Sequence, residues 1–201
     1  MITVIDSGVA NLASVMGALQ RLKADAEVTS DAAKIRAASR VILPGVGSAS
    51  AAMAQLKAKG LIDVIRNLIQ PTLGICLGMQ LLFTGSEEGQ RDGALLPCLG
   101  MISGAVRSMK ASPETPVPHM GWNNLRLIAP DHPLLRGVAP DCYVYFVHSF
   151  AAPVAGYTLA ASDYGGEFTA VAAERNFFGC QFHPERSGEV GEQILKNFLD
   201  M

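Results

Sequence analysis

The first third of the chain alternates short apolar runs with stretches of helical period. Apolar residues recur at three- and four-residue intervals over residues 11–22, and helical character returns over 50–68. Shorter helices are predicted over 32–38 and 77–83. The β-branched runs typical of buried strands are residues 2–6, 26–29, 40–43 and 72–75. This alternation predicts a parallel sheet covered by helices on both faces.

The second half of the chain has a different pattern, of short strands separated by turns. The predicted strands are residues 102–109, 125–127, 143–147, 158–162, 169–174 and 178–182. Turn signals such as Gly165-Gly166 and Asn176 lie between them, which favours antiparallel extensions of the sheet. A final helix is predicted over 189–199. No repeat or linker is visible, so residues 1–201 predict one α/β domain with a mostly parallel sheet.

Composition and charge narrow the functional classes. With 49% apolar and 17% charged residues the chain is a folded globular protein. Its net charge of -2 is dispersed, which argues against nucleic acid or an anionic membrane as the main partner. The apolar runs are too short to span a bilayer, and the N-terminus does not read as a signal peptide. A cytoplasmic location is therefore expected.

The four cysteines are expected to be reduced thiols, and neither a cofactor nor a metal site is expected. The chain has Cys76, Cys98, Cys142 and Cys180, with no CxxC or CxxH spacing that would favour zinc. In a chain without a secretion signal, reduced thiols are a better interpretation than disulfides.

Cys76 lies between a predicted strand and a predicted helix, in the pattern Gly74-Ile75-Cys76-Leu77-Gly78. This is the thiol counterpart of the G-x-S-x-G nucleophile elbow, whose tight turn requires glycine on both sides. The following helix directs backbone N–H groups at the thiol, which favours a thiolate and supplies an oxyanion donor, Leu77 N–H. The plainer alternative is a small buried core residue, which most free cysteines are. The flanking glycines favour the nucleophile.

A cysteine nucleophile needs a base, and His183 is the best of four histidines. It ends a predicted strand two residues before Glu185, and residues two apart on a strand point to the same side. Glu185 is therefore predicted to orient the His183 ring, as the third group of a triad does. His148 also ends a strand but has no acid two residues away, so it is given a binding or structural role.

These residues together resemble the class I (triad) glutamine amidotransferases. The stretches GICLGMQ and QFHPE, about a hundred residues apart, look like that family's signatures, and PGVG after the third strand looks like its oxyanion loop. The resemblance implies a three-layer, flavodoxin-like fold. A closer likeness, over nearly the whole chain, is to the glutaminase subunits of imidazole glycerol phosphate synthases, carried by DSGVANLASV, SEEG, PHMGWN and YFVHS. One departure is the segment 91–100, expected to be a longer loop.

The resemblance implies hydrolysis of L-glutamine through a cysteine thioester, without a cofactor. Cys76, His183 and Glu185 would form the catalytic triad. The oxyanion would be held by Leu77 N–H and by the loop of Gly45, Val46 and Gly47, whose glycines suggest a peptide that flips when a partner binds. Substrate contacts are implied for Gln80, Glu88, His148 and Ser149.

A partner is implied because ammonia loses its nucleophilicity once water protonates it, and the chain has no second domain to use it. The resemblance implies a (β/α)₈-barrel cyclase subunit that makes imidazole glycerol phosphate and AICAR in histidine biosynthesis. Trp122, the single tryptophan, is expected in a loop at the interface, together with Asn123 and Tyr145.

Two other interpretations stay open on the residues alone. The same elbow would serve a cysteine peptidase or a γ-glutamyl hydrolase, although Gln80, Glu88 and PGVG favour free glutamine. A flavodoxin-like binding protein with a retired site is the non-enzymatic alternative, and the complete set of Cys76, His183 and Glu185 argues against it.

Overall fold

The computed structural model of the chain describes residues 1–8 and 11–201, so two positions of the DSGVANLASV motif lie outside the described residues. The strands, in chain order, are β1 (Ile2–Ile5), β2 (Ala26–Thr29), β3 (Arg40–Gly45), β4 (Thr72–Cys76), β5 (Phe83–Arg91), β6 (Ala94–Pro97), β7 (Ile102–Ser108), β8 (His119–Asn124), β9 (Arg126–Leu127), β10 (Tyr143–His148), β11 (Phe150–Ala151), β12 (Thr158–Asp163), β13 (Glu167–Glu174) and β14 (Phe177–Cys180). The α-helices are α1 (Leu12–Arg21), α2 (Ala32–Ala37), α3 (Ala49–Ala58), α4 (Ile62–Arg66), α5 (Leu77–Leu82) and α6 (Gly188–Asp200), and 3₁₀ turns cover Pro133–Leu135 and Pro184–Arg186.

The main sheet has the strand order β2-β1-β3-β4-β14-β13-β12-β9. Its strands from β2 to β14 run parallel to one another. The strands β13, β12 and β9 extend it in antiparallel fashion. The parallel part has the flavodoxin-like order, with the fifth strand supplied by the distant β14. The predicted fold class, a mostly parallel sheet with antiparallel extensions, is confirmed.

Two hydrophobic cores lie on opposite faces of this sheet. Along β3 the side chains alternate, with Ile42 in one core and Val41 and Leu43 in the other. Helices α1 and α6 cover the first core, and α2 to α5 contribute to the second. A layer of helices on each face makes the three layers that the sequence predicts.

The structure corrects several predicted elements. The helix expected over 50–68 is two helices, because Gly60 adopts a left-handed φ of +65° after α3. The expected loop 91–100 contains β6, which pairs with β5, and β5 begins at Phe83, where the helix was expected to end. The segment PHMGWN is not a loop: from His119 onward it belongs to strand β8, which pairs along its whole length with β10. In β5 and β8, glycines and polar residues hide the strand signal.

No helix in the described part of the chain is long and apolar enough to cross a membrane.

Smaller sheets extend the carboxyl edge of the main sheet: the ribbon β8–β10 and the four strands β11-β7-β5-β6. The carboxyl ends of β3 and β4 and the segment after β14 face them, which is where ligands sit in open α/β sheets.

Candidate active site

Cys76 is the last residue of β4 and has a strained backbone, with φ +52° and ψ -112°. The glycines around it are required by contact distances. A Cβ on Gly78 would lie 1.8 Å from the carbonyl oxygen of Leu43, and a Cβ on Gly74 would lie 2.6 Å from the backbone nitrogen of Met79. The turn from β4 into α5 is therefore possible only with glycine at both positions, and the expected strand–elbow–helix geometry is present.

His183 and Glu185 form a buried pair, with His183 Nδ1 2.7 Å from Glu185 Oε1. The pairing of the two side chains was predicted correctly, but the reason given for it, alternation along a strand, was wrong. The strand β14 ends at Cys180, and Glu185 lies in the 3₁₀ turn Pro184–Arg186. The turn is anchored on both sides. The backbone N–H of His183 donates to Tyr145 O at 3.0 Å, and Ser187 Oγ donates to His183 O at 2.7 Å.

The surroundings of His183 favour its charged form. Burial alone would lower the pKa of His183, but hydrogen bonds and Coulomb attraction from Cys76 and Glu185 raise it to about 10. Because Glu185 occupies Nδ1, the ring nitrogen that remains for the Cys76 side is Nε2. The Cys76 Sγ also lies 3.7 Å from Val147 O and 3.9 Å from Gln181 Nε2.

A cavity of about 270 Å³ opens beside Cys76. This is near the lower end of the size of ligand sites, ~300 Å³, so it suits one small molecule. Nine of its lining residues are ones that the sequence singles out: Val46, Gly47, Cys76, Leu77, Gln80, Glu88, His148, Ser149 and His183. Gly45 and Glu185 lie behind it, around a smaller void that also borders His183.

The amide of Gln80 is held from two sides. Its Nε2 donates to Phe150 O at 2.8 Å and to Gln181 Oε1 at 3.0 Å. Gln181, which the sequence analysis did not single out, thus lies between Gln80 and Cys76. Its position two residues before His183 is the signal that would have pointed to it. Glu88 Oε2 accepts from the backbone N–H of Ala49 at 2.7 Å, at the start of α3.

His148 is hydrogen-bonded to a second buried histidine, His119, which the sequence analysis also did not single out. His119 Nδ1 lies 2.9 Å from His148 Nε2, and His148 Nδ1 lies 2.9 Å from Phe150 O. Burial is the main cause that lowers the pKa of His148, to about 3, and burial likewise lowers the pKa of His119 to about 4. Both rings are therefore neutral near pH 7.

The predicted oxyanion loop packs against the elbow. Gly45 is in register with Cys76, and a Cβ on Gly45 would lie 2.8 Å from the backbone nitrogen of Gly78. Val46 is 38% exposed, and Gly47 has φ +87° with open space around it. Leu77 is the first residue of α5, so its N–H has no partner inside the helix.

The three residues expected at a partner interface lie on the ribbon β8–β10. Trp122 is 55% exposed and meets the Tyr145 ring edge-on at a centroid distance of 6.0 Å. The Asn123 side chain is used within the chain, where its Nδ2 donates to Asp163 O at 2.8 Å.

Within residues 1–8 and 11–201 no group of three or more potential metal ligands occurs.

A strained cysteine elbow on a doubly wound sheet, with a buried histidine–glutamate pair beside it, defines a protein of the cysteine-hydrolase class. The family model described as glutamine amidotransferase class-I matches residues 3–201. The chain is 52% identical to imidazole glycerol phosphate synthase subunit HisH of Xanthomonas campestris pv. campestris, covering 100% of this chain and 97% of that protein. It is 50% identical to the subunit of the same name from Shewanella oneidensis, covering 100% and 96%.

Solved structures agree on the fold. A glutamine amidotransferase crystal structure superposes with a TM-score of 0.74 at 17% identity, covering 99% of this chain and 97% of that one. The structure of PurLQS from Thermotoga maritima gives 0.73 at 20% identity, covering 99% and 97%. The chain therefore belongs to the class I glutamine amidotransferase family, and within it to the family of the imidazole glycerol phosphate synthase HisH subunits.

Proposed function

We propose that this chain is the glutaminase subunit of an imidazole glycerol phosphate synthase in histidine biosynthesis, one domain over residues 1–201. It hydrolyses L-glutamine to glutamate and ammonia and passes the ammonia to a (β/α)₈-barrel cyclase subunit, which performs the lyase chemistry that yields imidazole glycerol phosphate and AICAR. The observation that carries the proposal is the arrangement of Cys76 at the cavity, with His183 beside it and Glu185 bonded to His183 Nδ1 at 2.7 Å.

The chemistry is acyl transfer. The Cys76 thiolate attacks the side-chain amide carbon of glutamine, and the C–N bond breaks as His183 Nε2 donates a proton to the leaving ammonia. The resulting thioester is hydrolysed by a water that the now neutral His183 deprotonates. Glu185 keeps the proton on Nδ1 throughout, so Nε2 alone exchanges protons with the substrate. The raised pKa of His183 supports this role, because it keeps the ring charged before attack.

The negative oxygen of the tetrahedral intermediate is stabilised by backbone N–H groups. Leu77 supplies one from the start of α5. The second comes from the loop of Gly45, Val46 and Gly47. Gly47 has a left-handed φ, which glycine adopts readily, and open space where a side chain would lie, and both features favour a peptide that can rotate.

The remaining polar groups around the cavity bind the amino acid end of glutamine. Gln80 and Glu88 bind its ammonium side with amide and carboxylate oxygens, and the segment of His148 and Ser149 at the end of β10 binds the other side. All four residues line the cavity. Trp122, which is exposed, and the half-buried Tyr145 that its ring meets form the surface for the cyclase, since large aromatic side chains are favoured interface anchors.

The test is ammonia release from L-glutamine by the chain alone, with its cyclase, and with the cyclase and its nucleotide ligand. We expect turnover in the complex, and a loss of about 10⁴-fold or more with Cys76→Ser, as in other hydrolases that lose their nucleophile. Cys142→Ser is the matched control, since Cys142 is half-buried and does not line the cavity.

Each contrary outcome is informative. Unchanged turnover in a Cys76→Ser complex would disprove the nucleophile. No ammonia release under any condition, together with cleavage of peptides or γ-glutamyl conjugates, would favour a peptidase or γ-glutamyl hydrolase. Full activity of the free chain would contradict the idea that the oxyanion loop is switched by its partner.

A further inference from the structure

We propose that His119 is a positioning residue of the glutamine site: it fixes the ring of His148 and, through the carbonyl group of Phe150, the amide of Gln80. This inference rests on the proposed function, since it concerns how the same cavity holds glutamine. It assigns a role to a histidine that does not line the cavity.

A continuous series of hydrogen bonds runs from the ribbon β8–β10 to the cavity. Asn123 Nδ2 lies 3.4 Å from His119 Nε2, and His119 Nδ1 lies 2.9 Å from His148 Nε2. His148 Nδ1 is 2.9 Å from Phe150 O, and the same oxygen accepts from Gln80 Nε2 at 2.8 Å. Each of the four nitrogens of the two rings thus has a partner.

The carbonyl oxygen of Phe150 fixes which atom donates and which accepts in every hydrogen bond of the series. A carbonyl oxygen only accepts, so His148 Nδ1 must carry the proton and, in the neutral ring, Nε2 must accept. His119 Nδ1 is then the donor to His148, which leaves His119 Nε2 to accept from the Asn123 amide. A single pair of tautomers satisfies all four contacts, and it requires both rings to be neutral.

The His119 ring is held in place by aromatic side chains on both faces. It stacks on Tyr164 at a centroid distance of 4.0 Å and on Phe146 at 4.8 Å, and it is 3% exposed. It also faces His148 directly, because the two residues are in register across β8 and β10. The His119 N–H group that donates to His148 Nε2 is therefore held rigidly, as a positioning group must be.

Loss of this donor acts on glutamine binding more than on chemistry. Without it, His148 Nε2 is a buried nitrogen with no partner, and the ring turns or changes tautomer to find one. Either change withdraws the Nδ1 proton from Phe150 O, which also anchors Gln80. The His183–Glu185 pair lies on another element and is not part of the series.

The test uses two variants of the chain in complex with its cyclase. His119→Phe keeps a ring between Tyr164 and Phe146 but removes the donor. His119→Asn keeps an amide N–H near the position of Nδ1. We expect His119→Phe to raise the KM for L-glutamine about tenfold with kcat within about threefold of wild type, as loss of one buried hydrogen bond predicts, and His119→Asn to recover most of that loss.

A second measurement reads the tautomers directly, by ¹⁵N NMR of the histidine rings in the wild-type chain at pH 7. We expect His148 and His119 both to be neutral with the proton on Nδ1. A His148 proton on Nε2, a charged ring, or an unchanged KM in His119→Phe would overturn the proposal. If the wild-type complex released no ammonia, the proposed function would fail instead, and the NMR result would still decide the positioning of His148.

Discussion

Two histidines line the same cavity as Cys76, His183 beside the elbow and His148 at the end of the ribbon β8–β10, and their surroundings push their pKa values in opposite directions. On the elbow side, burial opposes the charge of His183, but Cys76 and Glu185 raise its pKa to about 10. On the ribbon side, burial dominates for His148, and its pKa falls to about 3. The positive charges of His183 and of a protonated His119 would also disfavour a charged His148.

In the proposed mechanism, this difference in pKa separates the residue that transfers a proton from the residue that positions the substrate. A group that donates a proton to a leaving amine must carry that proton, and His183 has the carboxylate that keeps it there. A group that only orients must not exchange its proton. Burial holds His148 neutral, and the carbonyl oxygen at one ring nitrogen and the donor at the other fix its tautomer. The different roles proposed for the two histidines thus follow from their neighbours alone.

The elbow around Cys76 depends on close backbone contacts, and a substitution of Gly78 is expected to have the largest effect on it. In Gly78→Ala the new Cβ would lie 1.8 Å from Leu43 O, where helix α5 packs against the backbone of the central strand β3. We expect loss of more than ~4 kcal/mol of unfolding free energy, or no soluble protein, because overlap with backbone has no side chain to relieve it. Urea unfolding followed by circular dichroism measures it.

Gly156→Ala is the matched control for this substitution, since no atom lies within 4 Å of a Cβ placed there. We expect its free energy of unfolding to stay within about 0.5 kcal/mol of wild type. A Gly78→Ala chain as stable as the control would show that the elbow relaxes, and that the fixed backbone of the elbow side is not what distinguishes it from the ribbon side.

The next prediction concerns the positive charge on His183. In Glu185→Gln an amide replaces the carboxylate that accepts from Nδ1, so we expect the pKa of His183 to fall and kcat for glutamine hydrolysis to drop roughly 10²-fold. Ring ¹H–¹⁵N NMR titration gives the pKa, and ammonia release in the complex gives the rate. The KM for glutamine should change little, because Glu185 lies behind the cavity.

Glu189→Gln removes an exposed carboxylate in the first turn of α6 and serves as the control for net charge. A His183 pKa that falls equally in both variants would show that general electrostatics, and not the Glu185 contact, sets it. A His183 pKa unchanged in Glu185→Gln would remove the contrast between the two histidines.

The parallel half of the fold was predictable from the sequence because its central strands β1, β3 and β4 are mainly apolar runs buried on both faces. The ribbon β8–β10 was harder. His119, Gly121 and Asn123 face inward on β8, while Met120 and Trp122 face outward, so the polar and apolar positions are the reverse of an ordinary strand. A pattern of buried polar and exposed apolar residues resembles a loop until its partner strand is known.

The site shows the same division between local and distant information. Cys76 and its glycines are adjacent in sequence, and so are His183 and Glu185, so their geometry follows from short motifs. The Gln80–Gln181 contact joins residues 101 positions apart, and the His119–His148 contact joins residues 29 apart. No pattern within one segment encodes these pairs. The first forms where helix α5 meets the segment after β14, and the second follows from the register of β8 and β10.

The two histidine environments also predict opposite effects of pH on stability. His148 and His119 have lowered pKa values, about 3 and about 4, so between these values and ~6.5 the unfolded chain binds more protons than the folded one. Their contribution to stability is therefore lost as pH falls below ~6.5. For His183 the pKa is raised to about 10, so the folded chain binds more protons between ~6.5 and that value. Its contribution is present below ~6.5 and lost as pH rises.

Urea unfolding of wild type and His119→Phe at pH 7 and pH 5 isolates the ribbon side. Between pH 7 and pH 5, each histidine that stays neutral in the folded chain but takes up a proton in the unfolded chain lowers the unfolding free energy by about 1–2 kcal/mol. The variant has one such histidine fewer. We expect wild type to lose about that much more than His119→Phe on acidification. Carboxylates titrate equally in both chains and cancel in the difference. Equal losses in the two proteins would mean that His119 takes up its proton in the folded chain as readily as in the unfolded one, and that the ribbon does not hold its histidines neutral.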